Sequence, residues 1–568
     1  MTGSCFSRDR GTNVRAGGPK VPAAASDGVT LPTSGQFAGV GEATPAPRCG
    51  TMGFVLFEDR LTRPLHVVVV GGGIAGLAAA LRLRDTAPDG TAVTVIEQAS
   101  SVGGKLRTGR VAGVPIEDGA ESFLLRVPEA RALAERVGLG DQLVSPTASG
   151  ATVWVDGSLR ALPAGTMLGV PADLEATAAS GVLSDEGLAL VRAEPGRPGT
   201  PLGSDDVAVG ALIGDRLGPE VVDRLVEPLL GGVYAGRADL LSLRATMPAL
   251  AAGLLDQPSL VKAARAARGT ATPSASPIFA TVRGGLSRLV TTVAHESKAA
   301  IRTGLPVRSL HRTSDGWQLT VGSAGFGGST AIRADAVVLA VPAAPASRLL
   351  SDVDPTAAAT VGVLDYASVA LVSLVLPGRQ ALPPGTGALV PASSGRLVKA
   401  VTYVSQKWGH VLDGHVGEPV TVVRASVGRY GDEAALQLDD ESLVTAVLDE
   451  LGTLVPLPGG WPAPLGVKVN RWGGALPQYA PGHLDRVAAV RAALAGEPTL
   501  ALAGAAFDGV GIPACIRSGQ AAADRILSAL TTAPASRSFQ PRTFPRAEHR
   551  PQGSVEKNSL TRGEPING

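Results

Sequence analysis

The hydrophobic pattern begins at residue 66, where His66, four valines (Val67 to Val70), three glycines (Gly71 to Gly73) and Ile74-Ala75-Gly76-Leu77-Ala78 follow in order. A continuous apolar run bounded by glycines predicts a buried strand, and the alanine-rich stretch after it predicts a helix that starts inside the turn. A second apolar run, 93–96, ends on Glu97. From 128 onward the spacing becomes helical: Pro128 opens a segment with Ala132, Leu133, Val137 and Leu139 on one face, and 206–213 and 220–230 are amphipathic. Asp205 or Asp206 is placed to cap the first of these two. From 278 the period shortens. Short strands are predicted at 301–305, 307–310 and 316–321, and a buried strand at 334–341 stops at Pro342. Alternating or clustered β-formers at 366–376, 398–404 and 419–427 predict an antiparallel sheet. At 499–504 a buried strand again meets a glycine and then a helix, 516–530. The strand–glycine–helix unit therefore recurs at the far end of the chain, so the first domain is expected to be discontinuous.

Composition bounds this picture. The 568 residues exceed one simple core, yet 1–63 and 533–568 are Gly-, Pro-, Ser- and Arg-rich with little apolar periodicity and are expected to be disordered. Met52 stands shortly before the first strand and competes with Met1 as the start of translation. With 51 basic and 50 acidic side chains there is no basic stripe for nucleic acid. Three cysteines without paired spacing argue against a disulfide framework and fit a reducing cytoplasm. The seven histidines have no HxxxH or CxxC partner, so no metal site is expected. No secretory h-region and no uninterrupted spanning segment is visible; peripheral membrane contact is left open.

The chemistry lies in the turns. Gly71 permits the tight turn, Gly73 lets backbone approach a pyrophosphate, Gly76 lets helix and strand pack closely, and the N–H groups at Ile74 and Ala75 face the same anion. Glu97, followed by Gln98, stands about 20 residues on, the offset of the carboxylate that bonds an adenosine ribose. A second doublet, Gly103-Gly104, followed by Lys105, can bring further N–H groups and a cation to the phosphates. The small-residue segment Gly119-Ala120-Glu121-Ser122 suits close passage by a planar ring.

These glycines, with Glu97 and Gly103-Gly104-Lys105, resemble the FAD fingerprint of the flavin amine oxidase superfamily, and three further segments narrow the resemblance. Residues 230–243, 283–286 (Arg-Gly-Gly-Leu) and 503–516 are similar to stretches of the protoporphyrinogen and coproporphyrinogen oxidases within it. The resemblance spans about 64–530 and implies a mixed α/β (α+β) fold. A discontinuous, Rossmann-like FAD-binding domain (64–127, 278–345, 466–532) would carry an inserted, mainly helical substrate-side segment (128–277) and an antiparallel-sheet substrate domain (346–465). It implies FAD contacts at Gly71, Gly73, Gly76, Glu97 and Lys105, flavin proximity for 119–122 and for Val510-Gly511-Ile512, and adenine contact at the Val307 backbone. Trp472 either faces the flavin or is a core tryptophan. Lys105 stands where the family often has arginine, keeping the charge without the fork. The implied reaction is a six-electron, H2O2-forming oxidation of a porphyrinogen by O2. Catalysis would lie with the cofactor, so no catalytic side chain is expected. Arg126 is the candidate partner for a substrate propionate, with a solvated helix-start arginine as its alternative, and Gly232, Tyr234 and Gly236 would form either a turn beside the substrate or a structural helix end. The Ala, Gly and Arg bias resembles that of a high-GC actinobacterium, and what is known of the family in such organisms implies coproporphyrinogen III rather than protoporphyrinogen IX as substrate, with transfer of product to a ferrochelatase as a possible sequel. An amine oxidase, a carotenoid desaturase and a non-catalytic binding protein share the scaffold and stand as rivals.

Overall fold

Val67 to Val70 are all but fully excluded from solvent, which only a strand covered on both faces can achieve. In the computed structural model, which describes residues 64–199, 202–269, 277–322 and 328–532, this strand (His66–Val70) is the middle of a five-stranded sheet. The order is Ala300–Arg302, Ala92–Ile96, His66–Val70, Ala336–Leu339, Leu500–Leu502, and every pairing is parallel. Chain order runs outward on one side of His66–Val70 and resumes on its other side. The crevice at a strand-order reversal is where open α/β sheets bind ligands, and the glycine turn stands at its mouth.

The helix Ile74–Thr86 is buried from Ile74 to Leu81 and again at Leu83, because it lies between the sheet and the helices Leu286–Glu296 and Ile512–Thr532. An apolar circumference suits such a position. Contact with Ile512–Thr532 is unusually close: a Cβ on Gly519 would stand 1.9 Å from the Ala75 carbonyl oxygen. A three-stranded antiparallel meander, Val307–Thr313, Gly316–Gly322 and Ser329–Ala334, buries Leu310, Trp317 and Leu319 under the other face of the parallel sheet.

The second large sheet has seven strands in the order Gly466–Pro477, Tyr366–Pro377, Val420–Val427, Val398–Thr402, Gly387–Leu389, Thr152–Val155, Ser158–Ala161. All its pairings are antiparallel except Gly387–Leu389 with Thr152–Val155. Two expected boundaries shift here. Gly466–Pro477, assigned from sequence to the nucleotide domain, instead runs beside Tyr366–Pro377 across the substrate-side sheet, and Thr152–Val155 and Ser158–Ala161 join the same sheet out of the segment expected to be helical. Sequence spacing carries no information on which distant strand supplies a partner, so such edges are decided by packing. The remaining helical segment closes its own core around Ile213, Leu230, Leu241, Leu250 and Leu260.

The expected cap at Asp205 or Asp206 is not formed. The helix Val209–Leu217 starts from Ala208 with no side-chain cap. Asp206 instead accepts from the Ser242 hydroxyl (2.6 Å) and the Gly482 N–H (2.8 Å), joining segments far apart in sequence. The expected disorder of 1–63 and 533–568, and Met52 as a start, lie outside the described residues.

Candidate functional site

Each glycine of the first turn answers a different local demand. Gly71 has φ +105°, and a Cβ there would lie 2.4 Å from the Ala340 carbonyl oxygen. A Cβ on Gly76 would lie 2.0 Å from the Gly71 carbonyl oxygen. At Gly73 the space a Cβ would enter is open. Gly73 is also the N-cap of Ile74–Thr86, with no side-chain cap and no acid in the first turn, so the helix presents uncompensated N–H groups to that space. Ile74 and Ala75 turn their side chains into the core and leave only their backbone to a ligand.

Glu97 is buried at the end of its strand and is bound by the backbone. Its carboxylate accepts from the Gly72 N–H (2.7 Å) and the Ala99 N–H (2.8 Å), which fixes it against the glycine turn. Gln98 is exposed. The second doublet is tied to the first: Gly103 donates to the Gly72 carbonyl (2.8 Å), and Gly104 passes the Gly73 Cα. Leu305 donates to the Glu97 carbonyl (3.0 Å), which places Val307 two residues from that contact.

Lys105 is largely enclosed, and burial lowers its ammonium from the usual lysine range. Among the described residues that ammonium has no hydrogen-bond or ion-pair partner. Free helix-terminal N–H groups, an open glycine face and an unpaired enclosed cation together fit a bound dinucleotide phosphate.

The segment 118–121 follows the hairpin strand Val114–Glu117 and touches both the loop at Lys105 and the strand Gly466–Pro477. Gly119 passes so close that a Cβ would stand 2.2 Å from the Lys105 carbonyl oxygen and 3.3 Å from the Trp472 ring. Trp472 donates from Nε1 to the Asp118 carbonyl (2.7 Å), and the Arg107 guanidinium lies 5.6 Å from its ring centre. Asp118 accepts from Lys468 (2.7 and 2.8 Å) and from Asn470 (3.1 Å). Glu121 is clasped by Lys407 and Arg424. Burial alone would raise its pKa, but Arg424 and Lys407 together hold it down to about 2. Its carboxylate is thus committed to these cations, while Ala120 donates to the Lys105 carbonyl (3.1 Å). Ser122 is half-buried.

Lys407, Arg424, Lys468 and Asn470 were not singled out from sequence. The available signal was an arginine inside the apolar strand Val420–Val427 and polar residues two apart, Lys468 and Asn470, on one face of Gly466–Pro477.

Farther along, Gly509 has φ +122° and leads through Val510 and Gly511 into the helix Ile512–Thr532. Val510 packs on the same apolar cluster as Tyr234, while Ile512 is buried beneath the first helix. Tyr234 is buried edge-on to Tyr479 (ring centres 5.5 Å apart), and burial pushes its hydroxyl up to about 12. It closes the helix Glu227–Tyr234, which ends in left-handed Ala235 (φ 49°). The absent Cβ at Gly236 makes room for the Gln478 side chain (2.4 Å), whereas Gly232 is exposed and open. Arg126 is exposed, with no ion-pair or hydrogen-bond partner among the described residues. The structure thus gathers the two glycine doublets, Glu97, Lys105, Gly119 and Trp472 at the parallel sheet's switch point, and leaves Arg126 without a polar contact that ties it to them.

Among the described residues no group of three or more His, Cys, Asp or Glu could hold a metal, and no helix is long and apolar enough to cross a membrane. Against known proteins, the profile of the family described as flavin-containing amine oxidoreductase matches residues 74–527. The coproporphyrinogen III oxidase of Mycobacterium tuberculosis (strain H37Rv) is 39% identical over 82% of this chain and 98% of its own length. That of Bacillus subtilis is 32% identical over 82% and 98%. A crystal structure from Exiguobacterium sp. 255-15, provisionally named a protoporphyrinogen oxidase, superimposes with a TM-score of 0.72 at 32% identity, covering 82% of this chain and 99% of that one.

Proposed function

The chain belongs to the flavin-containing amine oxidoreductase family, and from that premise we propose that it is an FAD-dependent oxidase converting coproporphyrinogen III to coproporphyrin III in haem biosynthesis. The supporting observation is that relatives 32–39% identical across 98% of their length carry that activity in their names. The crevice at the switch point accounts for the cofactor. The N–H groups at Gly73 to Gly76 would receive the pyrophosphate, with Lys105 as the nearby cation, Glu97 would bond the adenosine ribose, and the Val307 backbone would face the adenine. Gly119 to Ser122, Trp472 and Val510 to Ile512 would border the flavin.

A bound FAD would supply two-electron oxidation chemistry, and the overall reaction would remove six electrons and six protons from the macrocycle while three O2 become three H2O2. The protein's own part is positional. The absence of side-chain bulk at Gly119 lets the chain pass the Lys105 carbonyl and the Trp472 ring, whose Nε1 is held by the Asp118 carbonyl, and in that position Trp472 would wall the flavin. The Asp118–Lys468–Asn470 and Glu121–Lys407–Arg424 contacts lock this wall to the substrate-side sheet. Arg126 would meet a propionate at the rim and Gly232 would leave space beside it. The porphyrin product is a tetracarboxylate ready for a metal chelatase such as ferrochelatase, and the reaction would take place in the cytoplasm.

The test is a side-by-side assay of purified, flavin-loaded protein on coproporphyrinogen III and protoporphyrinogen IX, following porphyrin fluorescence and H2O2. The expected result is a kcat/KM at least about tenfold higher on coproporphyrinogen III. Equal rates or the reverse preference would assign the protoporphyrinogen reaction instead, and no fluorescence with either substrate would overturn the reading. Replacing Glu97 with Ala should weaken FAD binding by roughly ten- to a hundredfold, the worth of one charge-assisted hydrogen bond. Flavin retained after gel filtration is the measurement, and undiminished retention would remove Glu97 from the ribose site.

A further inference from the structure

Lys399 lies in the strand Val398–Thr402, yet it does not follow the strand's alternation. Val398 pairs with Val427 and Ala400 with Ser426, so Lys399 is the extra residue of a β-bulge. Bulges re-aim side chains. Here the side chain turns into a small cavity of about 10 Å³ that it shares with Arg429, Glu227, Gly231 and Gly236. Lys399 is 7% exposed and Arg429 8% exposed.

One of the two cations at this cavity has no counter-ion among the described residues. The Arg429 side chain donates to the backbone carbonyls of Arg396 (2.9 Å) and Val390 (3.0 Å) and is attracted by Asp432, Glu227 and Glu450, whereas among the described residues the Lys399 ammonium has no hydrogen-bond or ion-pair partner. The lining carboxylate, Glu227, accepts from the Ala238 N–H, and burial raises its pKa, which weakens it as a counter-ion. Burial, and then the neighbouring Arg429, push Lys399 down to about 7. A buried ammonium without a paired anion is costly, and Lys399, held beside a second cation, is placed to take an anion from outside. The cavity holds no more than about one water, so the anion must be a single small group reaching in from the exposed side of the helix at Gly231 and Gly232.

We propose that Lys399 and Arg429 form the anchor for one carboxylate of the substrate, and that this anchor separates coproporphyrinogen III from protoporphyrinogen IX. The proposal rests on the function argued above. Coproporphyrinogen III carries four propionates, whereas protoporphyrinogen IX has vinyl groups in two of those places. A vinyl in the cavity would leave Lys399 desolvated and unpaired, and a site built around a polar group discriminates strongly against an analogue that lacks it.

The experiment compares kcat and KM of wild type, Lys399→Met and Lys399→Arg on both porphyrinogens, with flavin content and melting temperature recorded for each protein. In Lys399→Met the ratio of kcat/KM for coproporphyrinogen III to that for protoporphyrinogen IX should fall about ten- to a hundredfold, chiefly through KM. Lys399→Arg should keep most of the preference. Lys399→Met should also melt no lower than wild type, because it removes a buried unpaired charge; a lower melting point would mark the lysine as structural and overturn the anchor. Both activities falling together in Lys399→Met, or an unchanged ratio, would likewise overturn it while leaving the assigned reaction intact, whereas wild type inactive on either porphyrinogen would overturn the reaction itself. As a check that needs no variant, wild type should bind coproporphyrin III more tightly than its tetramethyl ester, and equal binding would count against the anchor.

Discussion

Gly76→Ala is expected to yield protein that is purified without flavin and is largely insoluble. The added methyl would stand 2.0 Å from the Gly71 carbonyl oxygen, a backbone atom in a turn whose other side is pressed against Ala340. Neither can retreat: Gly71 is fixed at φ +105° by the turn, and the helix behind Gly76 is pinned by the Ala75–Gly519 contact. Close-packed backbone has no soft coordinate through which to relieve such a clash, so the loss should reach the exceptional range above about 4 kcal/mol. Gly519→Ala should fail in the same way from the opposite side of the helix, since its methyl would meet the Ala75 carbonyl oxygen. Gly73→Ala supplies the contrast. No atom lies within 4 Å of its Cβ position, so this variant should fold and be impaired in flavin binding alone. Soluble yield, melting temperature and flavin content separate the cases; a soluble, flavin-loaded Gly76→Ala protein would refute the packing argument.

The second large effect is expected at Glu121. Replacing it with Gln leaves Lys407 and Arg424, both mostly buried, without their shared carboxylate. Breaking a buried ion pair by removing one partner costs roughly 3–5 kcal/mol, because the remaining charge stays desolvated. The double change Glu121→Gln with Lys407→Met should recover part of this, and a double-mutant cycle in chemical denaturation measures how much. The sign of the pH dependence follows from the direction of the shift. The folded pKa, about 2, lies below the usual glutamate value, so the folded protein holds this proton less tightly than the unfolded chain. The stabilisation is therefore complete above about pH 5 and is lost progressively as pH falls toward 2. Wild type should lose stability across that window more steeply than Glu121→Gln. Parallel stability curves for the two proteins would show that the cluster contributes nothing to acid sensitivity.

Much of the nucleotide half was legible because its determinants are local. A four-valine run, glycines at set spacing and an acid at the end of the next strand all act within about 30 residues, the length of one βαβ unit. The return of 500–502 to the same sheet was legible for a similar reason, since a buried strand followed by glycine and helix repeats the first signal. The substrate side was less so. Gly466–Pro477 has the alternation of a strand but nothing that names its neighbour, and Thr152–Val155 is too short to stand out inside a helical stretch. Tyr234 and Gly236 were picked out by resemblance, and the structure gives both a packing role: one is a core tyrosine at a helix end, the other yields space to Gln478.

By itself, then, the sequence determined where the chain turns, which strand is buried on both faces, and which backbone N–H groups, at Gly73 to Gly76, stand free at a helix N-terminus, because sterics and hydrogen bonding within a single unit decide those matters. Only the tertiary structure decided which charges meet. Glu121 with Lys407 and Arg424, Asp118 with Lys468 and Asn470, and Lys399 beside Arg429 join residues as much as 352 positions apart. Electrostatic partnership depends on distance in space and on desolvation, and neither has a period along the chain.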